Sequence, residues 1–169
     1  MREKDGLWAV LCWLSLLATT GQSVAEVLQA HWQRFGRSHF QRHDYEDLDA
    51  QAATEMLAAL QEQLPTLVGT PLAGSRVTCA DDFSYTDPVD GSVSTHQGLR
   101  ILLADGSRIV CRLSGTGTAG ATLRLYVERY RADGGPAAVD MVLAPLVQAA
   151  VHLLELRQRC GREAPTVVT

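Results

Sequence analysis

The chain opens on a nearly unbroken apolar run. Between residues 7 and 18 (LWAVLCWLSLLA) only Ser15 is polar, so a helix there is apolar on every side. Helices of that kind are normally buried all round inside a large domain, and the pattern predicts packing partners encoded upstream. A secretory signal is the competing reading: charged residues precede the run, and Ser23-Val24-Ala25 resembles a small-residue cleavage site. Against it, Glu3 and Asp5 cancel Arg2 and Lys4, and the run holds two tryptophans. It is also shorter than the roughly 20 residues of a membrane span.

Beyond the run the pattern becomes amphipathic. Ser23 and Glu26 have the spacing of a capping box. The helix they start carries Val24, Val27, Leu28, Trp32 and Phe35 at helical spacing and stops at Gly36. Residues 37–44 are polar and aromatic, reading as a linker or short extended segment and a candidate domain boundary. An Ala-, Leu- and Gln-rich stretch predicts a helix over 47–64, ended by Pro65. From Ser75 the period drops to two. Strands are predicted over 76–80, 99–104, 107–114 and 121–130, the second and third joined by a two-residue turn at Asp105-Gly106. Residues 81–97 read as a long polar loop with turn formers at Asp87-Pro88 and Asp90-Gly91. A last amphipathic helix is expected over 139–160, with Val142, Leu146, Ala149, Leu153 and Leu156 on one side and Pro145 able to kink it; 164–169 should be extended.

Composition narrows the class without deciding function. With 46% hydrophobic and 20% charged residues over 169 positions, the chain can bury one core, or one core and part of another. A net charge of -4 gives no reason to expect nucleic acid or an anionic membrane as partner. The charge is uneven, however. Between residues 97 and 131 stand six arginines (100, 108, 112, 124, 129, 131) against Asp105 and Glu128. The four cysteines form no CxxC pair and read as reduced, buried thiols of a cytoplasmic protein.

Inside the basic segment lies RLSGTGTAGATLR, residues 112–124. Small residues let backbone N–H groups approach a ligand, and glycines allow several to point at one spot, while Ser114 and Thr116 add hydroxyls. Period-two alternation puts Arg112 and Arg124 on one polar face. With Leu113 opposite Ala121, the two arginines are diagonal neighbours that need an anion between them. An ordinary hairpin with solvated arginines stays open as the alternative, since no GK[ST] or GxGxxG is present. Metal candidates are weaker: His39 and His43 are four apart in an extended context, and Asp81, Asp82, Asp87 and Asp90 depart from calcium-loop spacing and suit turns and caps.

Taken together, REKDGLWAVLCWLSLLA, HWQRFGR, DPVDGSVSTHQGLR, DGSRIVCRLSGTGTAGATLRLY, MVLAPL and GREAPTVVT resemble the C-terminal part of eukaryotic-type α-phosphoglucomutases, in the α-D-phosphohexomutase superfamily. The resemblance implies an α+β unit, an antiparallel sheet flanked by helices, over residues 39–169. Residues 1–38 would be a helical remnant of the preceding, third α/β domain. It further implies interconversion of glucose 1-phosphate and glucose 6-phosphate through glucose 1,6-bisphosphate, with magnesium serving the full-length enzyme. Arg112, Ser114, Gly115, Thr116, Gly117 and Arg124 would hold the phosphate that is not transferred, and Lys4 would contact substrate. The family's phosphoserine, magnesium and sugar loops lie upstream of these segments. The chain is therefore expected to carry no catalytic or metal-binding residue, to lack mutase activity alone, and to depend on the missing domains. A non-catalytic phosphosugar-binding or scaffold relative is the alternative.

Overall fold

The computed structural model describes residues 5–115 and 120–169. Contacts divide the chain into two compact units, Met1–Arg37 with Arg131–Pro136, and Ser38–Tyr130 with Ala137–Thr169.

In the first unit, helix α1 (Gly6–Thr20) begins where the Asp5 carboxylate accepts the Trp8 N–H at 2.9 Å, and ends at left-handed Gly21. None of its residues is buried; Leu7 is 80% and Leu11 65% exposed. Helix α2 (Val24–Phe35) has the anticipated capping box, with the Glu26 carboxylate accepting the Ser23 N–H at 2.8 Å. The Ser23 bonds hold the Glu26 carboxyl below its ordinary range. No single described helix is long and apolar enough to cross a membrane; α1 and α2 pass together but are bent by 89°.

The second unit is a seven-stranded sheet with helices against one face. Its strands are β1 (Arg37–Leu48), β2 (Pro71–Leu72), β3 (Ser75–Asp82), β6 (Leu99–Leu103), β7 (Arg108–Ser114), β8 (Ala121–Arg131) and β9 (Val167–Val168), in the order β2-β3-β6-β7-β8-β1-β9. A separate ribbon pairs β4 (Tyr85–Thr86) with β5 (Val93–Ser94). Each pairing with a described register is antiparallel. Helices α3 (Ala50–Leu67), α4 (Val139–Leu153) and α5 (Leu156–Cys160) complete the unit. Ile101, Ile109, Leu123 and Leu125 from the sheet meet Met56, Leu60, Leu143 and Leu146 from the helices in one core, each at most 1% exposed. The α+β architecture of antiparallel sheet and flanking helices is thus present.

Several local expectations are corrected. Of the two readings for residues 37–44 the extended one holds, but the strand is longer: they are most of β1, whose buried positions include His39 and His43. The α3 helix runs through Pro65 to Leu67, because a proline in the last turns forfeits only one bond. The 81–97 segment contains the β4–β5 ribbon. The β6–β7 connection has three residues, not two: the Leu103 N–H donates to the Ser107 carbonyl at 2.9 Å, and Gly106 takes the left-handed position at φ +82°. That is the three-residue hairpin geometry in which a side chain at the third position is strained. The final helix breaks at Glu155 (φ +48°) into α4 and α5. Of the predicted face, Val142, Leu146 and Leu156 are buried and Ala149 and Leu153 half-buried, while Leu143, Ala150 and Leu154 widen the buried stripe. The four cysteines are free, and burial pushes the Cys111 thiol up to about 12.

Candidate site at the arginine hairpin

Strands β7 and β8 pair with Leu113 opposite Leu123 and Ser114 opposite Thr122. The register differs by two from the anticipated one, so Arg112 stands directly opposite Arg124 rather than diagonal to it. A slip of two leaves every side chain on its expected face, and both arginines are exposed on the face away from the core. Gly115 follows β7 and Gly120 precedes β8. The backbone beside Gly120 leaves a Cβ there only 3.4 Å from the Asp47 Cα and the Leu48 carbonyl oxygen. Arg162 holds that neighbouring segment by donating to the Glu46 carbonyl at 2.8 Å. Thr116, Gly117 and Lys4 lie outside the described residues.

The other arginines of the basic segment are all engaged by carboxylates. Arg100 donates to both Asp81 oxygens, at 3.0 and 2.6 Å, and its guanidinium lies 4.3 Å from the Phe83 ring centre. Arg108 pairs with Glu128 across the ladder. Arg129 reaches Asp105 at 3.5 Å and donates to Ser107 and the Ala73 carbonyl. Arg131 is bound by Asp133. Of the six arginines in this segment, only Arg112 and Arg124 have no carboxylate partner among the described residues, and these two face each other. Like charges directly opposite on a sheet repel, so the arrangement is suited to an anion that bridges two planar, multidentate donors.

Arg112 also borders two cavities. One of about 320 Å³ is lined by Gln61, Asp82, His96, Gln97 and Gly98; the other, of about 510 Å³, by Phe83, Tyr85, Arg100 and Tyr126. Most of these neighbours, Asp82, Phe83, Tyr85, His96, Gln97 and Gly98, come from 81–98, a segment without periodicity that reaches the hairpin only in three dimensions.

The Asp81–Arg100 pair makes a pH prediction. Hydrogen bonds from Arg100, the largest influence, hold the Asp81 carboxyl below its ordinary value against the opposing effect of burial. A carboxyl lowered by folding contributes stability that is fully present above its unfolded value of about 3.9 and is lost as pH falls through the lower folded value. Urea unfolding of Asp81→Asn should therefore show a shallower loss of stability than the parent between about pH 4 and pH 2. An unchanged acid limb would assign it to other groups.

The metal candidates disperse. Among the described residues no group of three or more His, Cys, Asp or Glu could hold a metal ion. His43 Nε2 contacts Gln41 Oε1 at 3.2 Å, and burial lowers its pKa, opposed by nearby Asp140. Asp81 is held by Arg100, and Asp82 by His96 Nδ1 at 2.5 Å. Asp87 and Asp90 accept the backbone N–H groups of Val89 and Ser92 at 2.7 and 2.8 Å, the turn roles anticipated for them.

Comparison with known proteins bears on the family and the fold. The family model for the phosphoglucomutase-1 C-terminal domain matches residues 37–166. That for the phosphoglucomutase/phosphomannomutase alpha/beta/alpha domain III matches residues 1–35. Phosphoglucomutase-1 of Oryctolagus cuniculus is 51% identical over all of this chain and 32% of its own length. The cytoplasmic phosphoglucomutase of Pisum sativum is 46% identical over the same shares. The crystal structure of the exocytosis-sensitive phosphoprotein pp63/parafusin, a phosphoglucomutase from Paramecium in its open form, superposes with a TM-score of 0.88 at 39% identity. It covers all of this chain and 30% of that one. The chain thus spans about a third of the length of the curated relatives it matches. With one domain model covering most of its length and a fold to match, the chain belongs to the phosphoglucomutase family and corresponds to that family's C-terminal portion.

Proposed function

We propose that this portion grips the phosphate that is not transferred while a phosphoglucomutase interconverts glucose 1-phosphate and glucose 6-phosphate through glucose 1,6-bisphosphate. Arg112 and Arg124 supply paired guanidinium donors from opposite strands. Ser114 adds a hydroxyl, and Gly115, Thr116 and Gly117 supply backbone N–H groups. Lys4 contacts substrate from the N-terminal segment. Residues 1–38 belong to the third domain and 39–169 to the fourth, a reading supported by two family models that meet between 35 and 37. The observation that carries the proposal is the facing pair Arg112 and Arg124, without a carboxylate among the described residues inside a segment whose other arginines all have one.

Holding one phosphate fixes the sugar so that the other end meets the transfer chemistry, a contribution of positioning. Magnesium, implied for the larger enzyme, finds no ligand set among the described residues, and no step is assigned to it in this segment. The other domains of the same enzyme are the proposed partners, and the cytoplasm the proposed location, as for the relative from Pisum sativum.

Calorimetry on the 169-residue chain tests the reading. Glucose 6-phosphate should bind at least about tenfold more tightly than glucose, and added salt should weaken it. Glucose 1-phosphate should bind without being converted. Equal affinity for glucose and glucose 6-phosphate would overturn the phosphate grip.

A further inference from the structure

Gly98 lies beside the first of the two arginines, at a backbone φ of +146° that side chains rarely adopt. A Cβ built on it falls 2.8 Å from Cγ of Arg112, 3.1 Å from the Cys111 carbonyl oxygen and 3.3 Å from Cγ1 of Val110. The methylene stem of Arg112 therefore rests against the bare Cα of Gly98, in space that every other residue type would fill.

Gly98 has little room to withdraw. The Phe83 N–H donates to its carbonyl at 2.9 Å, and the Gln97 N–H donates to the Phe83 carbonyl at 2.8 Å. Two residues back, His96 is turned into the left-handed region at φ +53°, and its Nδ1 lies 2.5 Å from Asp82 Oδ2. On the other side, β7 is fixed by ladders to β6 and β8. With both backbones held, the Arg112 side chain is the mobile partner. A methyl group at 98 would drive its Cγ into another rotamer and carry the guanidinium away from Arg124.

We infer that Gly98 is a positioning residue for the phosphate grip: it touches no ligand, but seats the Arg112 stem so that the guanidinium faces Arg124. The inference rests on the phosphate-grip reading and names the backbone contact on which that grip depends.

The test is a double-mutant cycle on the full chain, with glucose 6-phosphate as the probe and urea unfolding run in parallel. Gly98→Ala should weaken binding roughly tenfold, the scale of a misplaced contact group. In an Arg112→Ala background, where no Cγ remains to be displaced, the same substitution should change affinity less than about twofold. A purely structural glycine would weaken binding equally in both backgrounds, and that result would overturn the inference while leaving the grip intact. If the parent chain does not distinguish glucose 6-phosphate from glucose, the grip itself fails and this inference falls with it. Should Gly98→Ala not fold, Gly98→Ala/Arg112→Ala decides: recovery of folding supports the stem contact. Failure of both would assign Gly98 to the Cys111 backbone and overturn the proposal.

Discussion

Arg124→Ala is expected to weaken glucose 6-phosphate binding on the order of a hundredfold, while the fold stays as stable as before or gains a few tenths of a kcal/mol. The two effects have opposite signs for one reason. Arg124 and Arg112 face each other across β7 and β8, and neither is paired with a carboxylate among the described residues. In the empty protein this like-charge pair costs a little, screened because both side chains are exposed. With phosphate bound, the same pair supplies charge-assisted, planar donors, each hydrogen bond to a charged group worth about 1.5–3 kcal/mol. Arg124→Lys should recover only part of the affinity, since lysine restores the charge but not the planar fork. Calorimetry reads the first effect and urea unfolding the second. A variant whose binding loss tracks an equal loss of stability would mean that Arg124 is a structural residue.

The features legible in the sequence were those carried by local chemistry. The Ser23–Glu26 box, the strand faces and the all-round apolar helix each follow from residue types a few positions apart, and each is present. Period two put Arg112 and Arg124 on the correct face, but a loop of small residues carries no register marker, so the pairing was off by two. The extended segment at 37–44 was legible only as an alternative to a linker, because His39 and His43 occupy buried positions where an apolar alternation would place valine or leucine. The break at Glu155 has neither glycine nor proline to announce it. Gly98 was the least legible: its role depends on contact with residues 110–112, set by tertiary packing rather than by its neighbours in the chain.

Leu125, the next residue along β8, should behave in the opposite way to Arg124. Its side chain is fully buried and stands opposite Cys111, itself 2% exposed, in the core shared by the sheet with α3 and α4. Leu125→Ala removes three carbons from a site whose walls cannot close in, because β7 and β8 are held by their ladder and the helices are seated on neighbouring side chains. Losses of about 3–4 kcal/mol are usual for such a truncation, the transfer term plus an unfilled cavity. The urea midpoint should fall with little change in slope, and Leu125→Val should cost about 1 kcal/mol. While the variant remains folded, its affinity for glucose 6-phosphate should stay within about threefold of the parent, since the strand ladder rather than the core side chain sets where Arg124 stands. A hundredfold loss of binding in folded Leu125→Ala would contradict this, because it would mean that core packing under β8, and not the pairing of β7 with β8, holds the two arginines face to face.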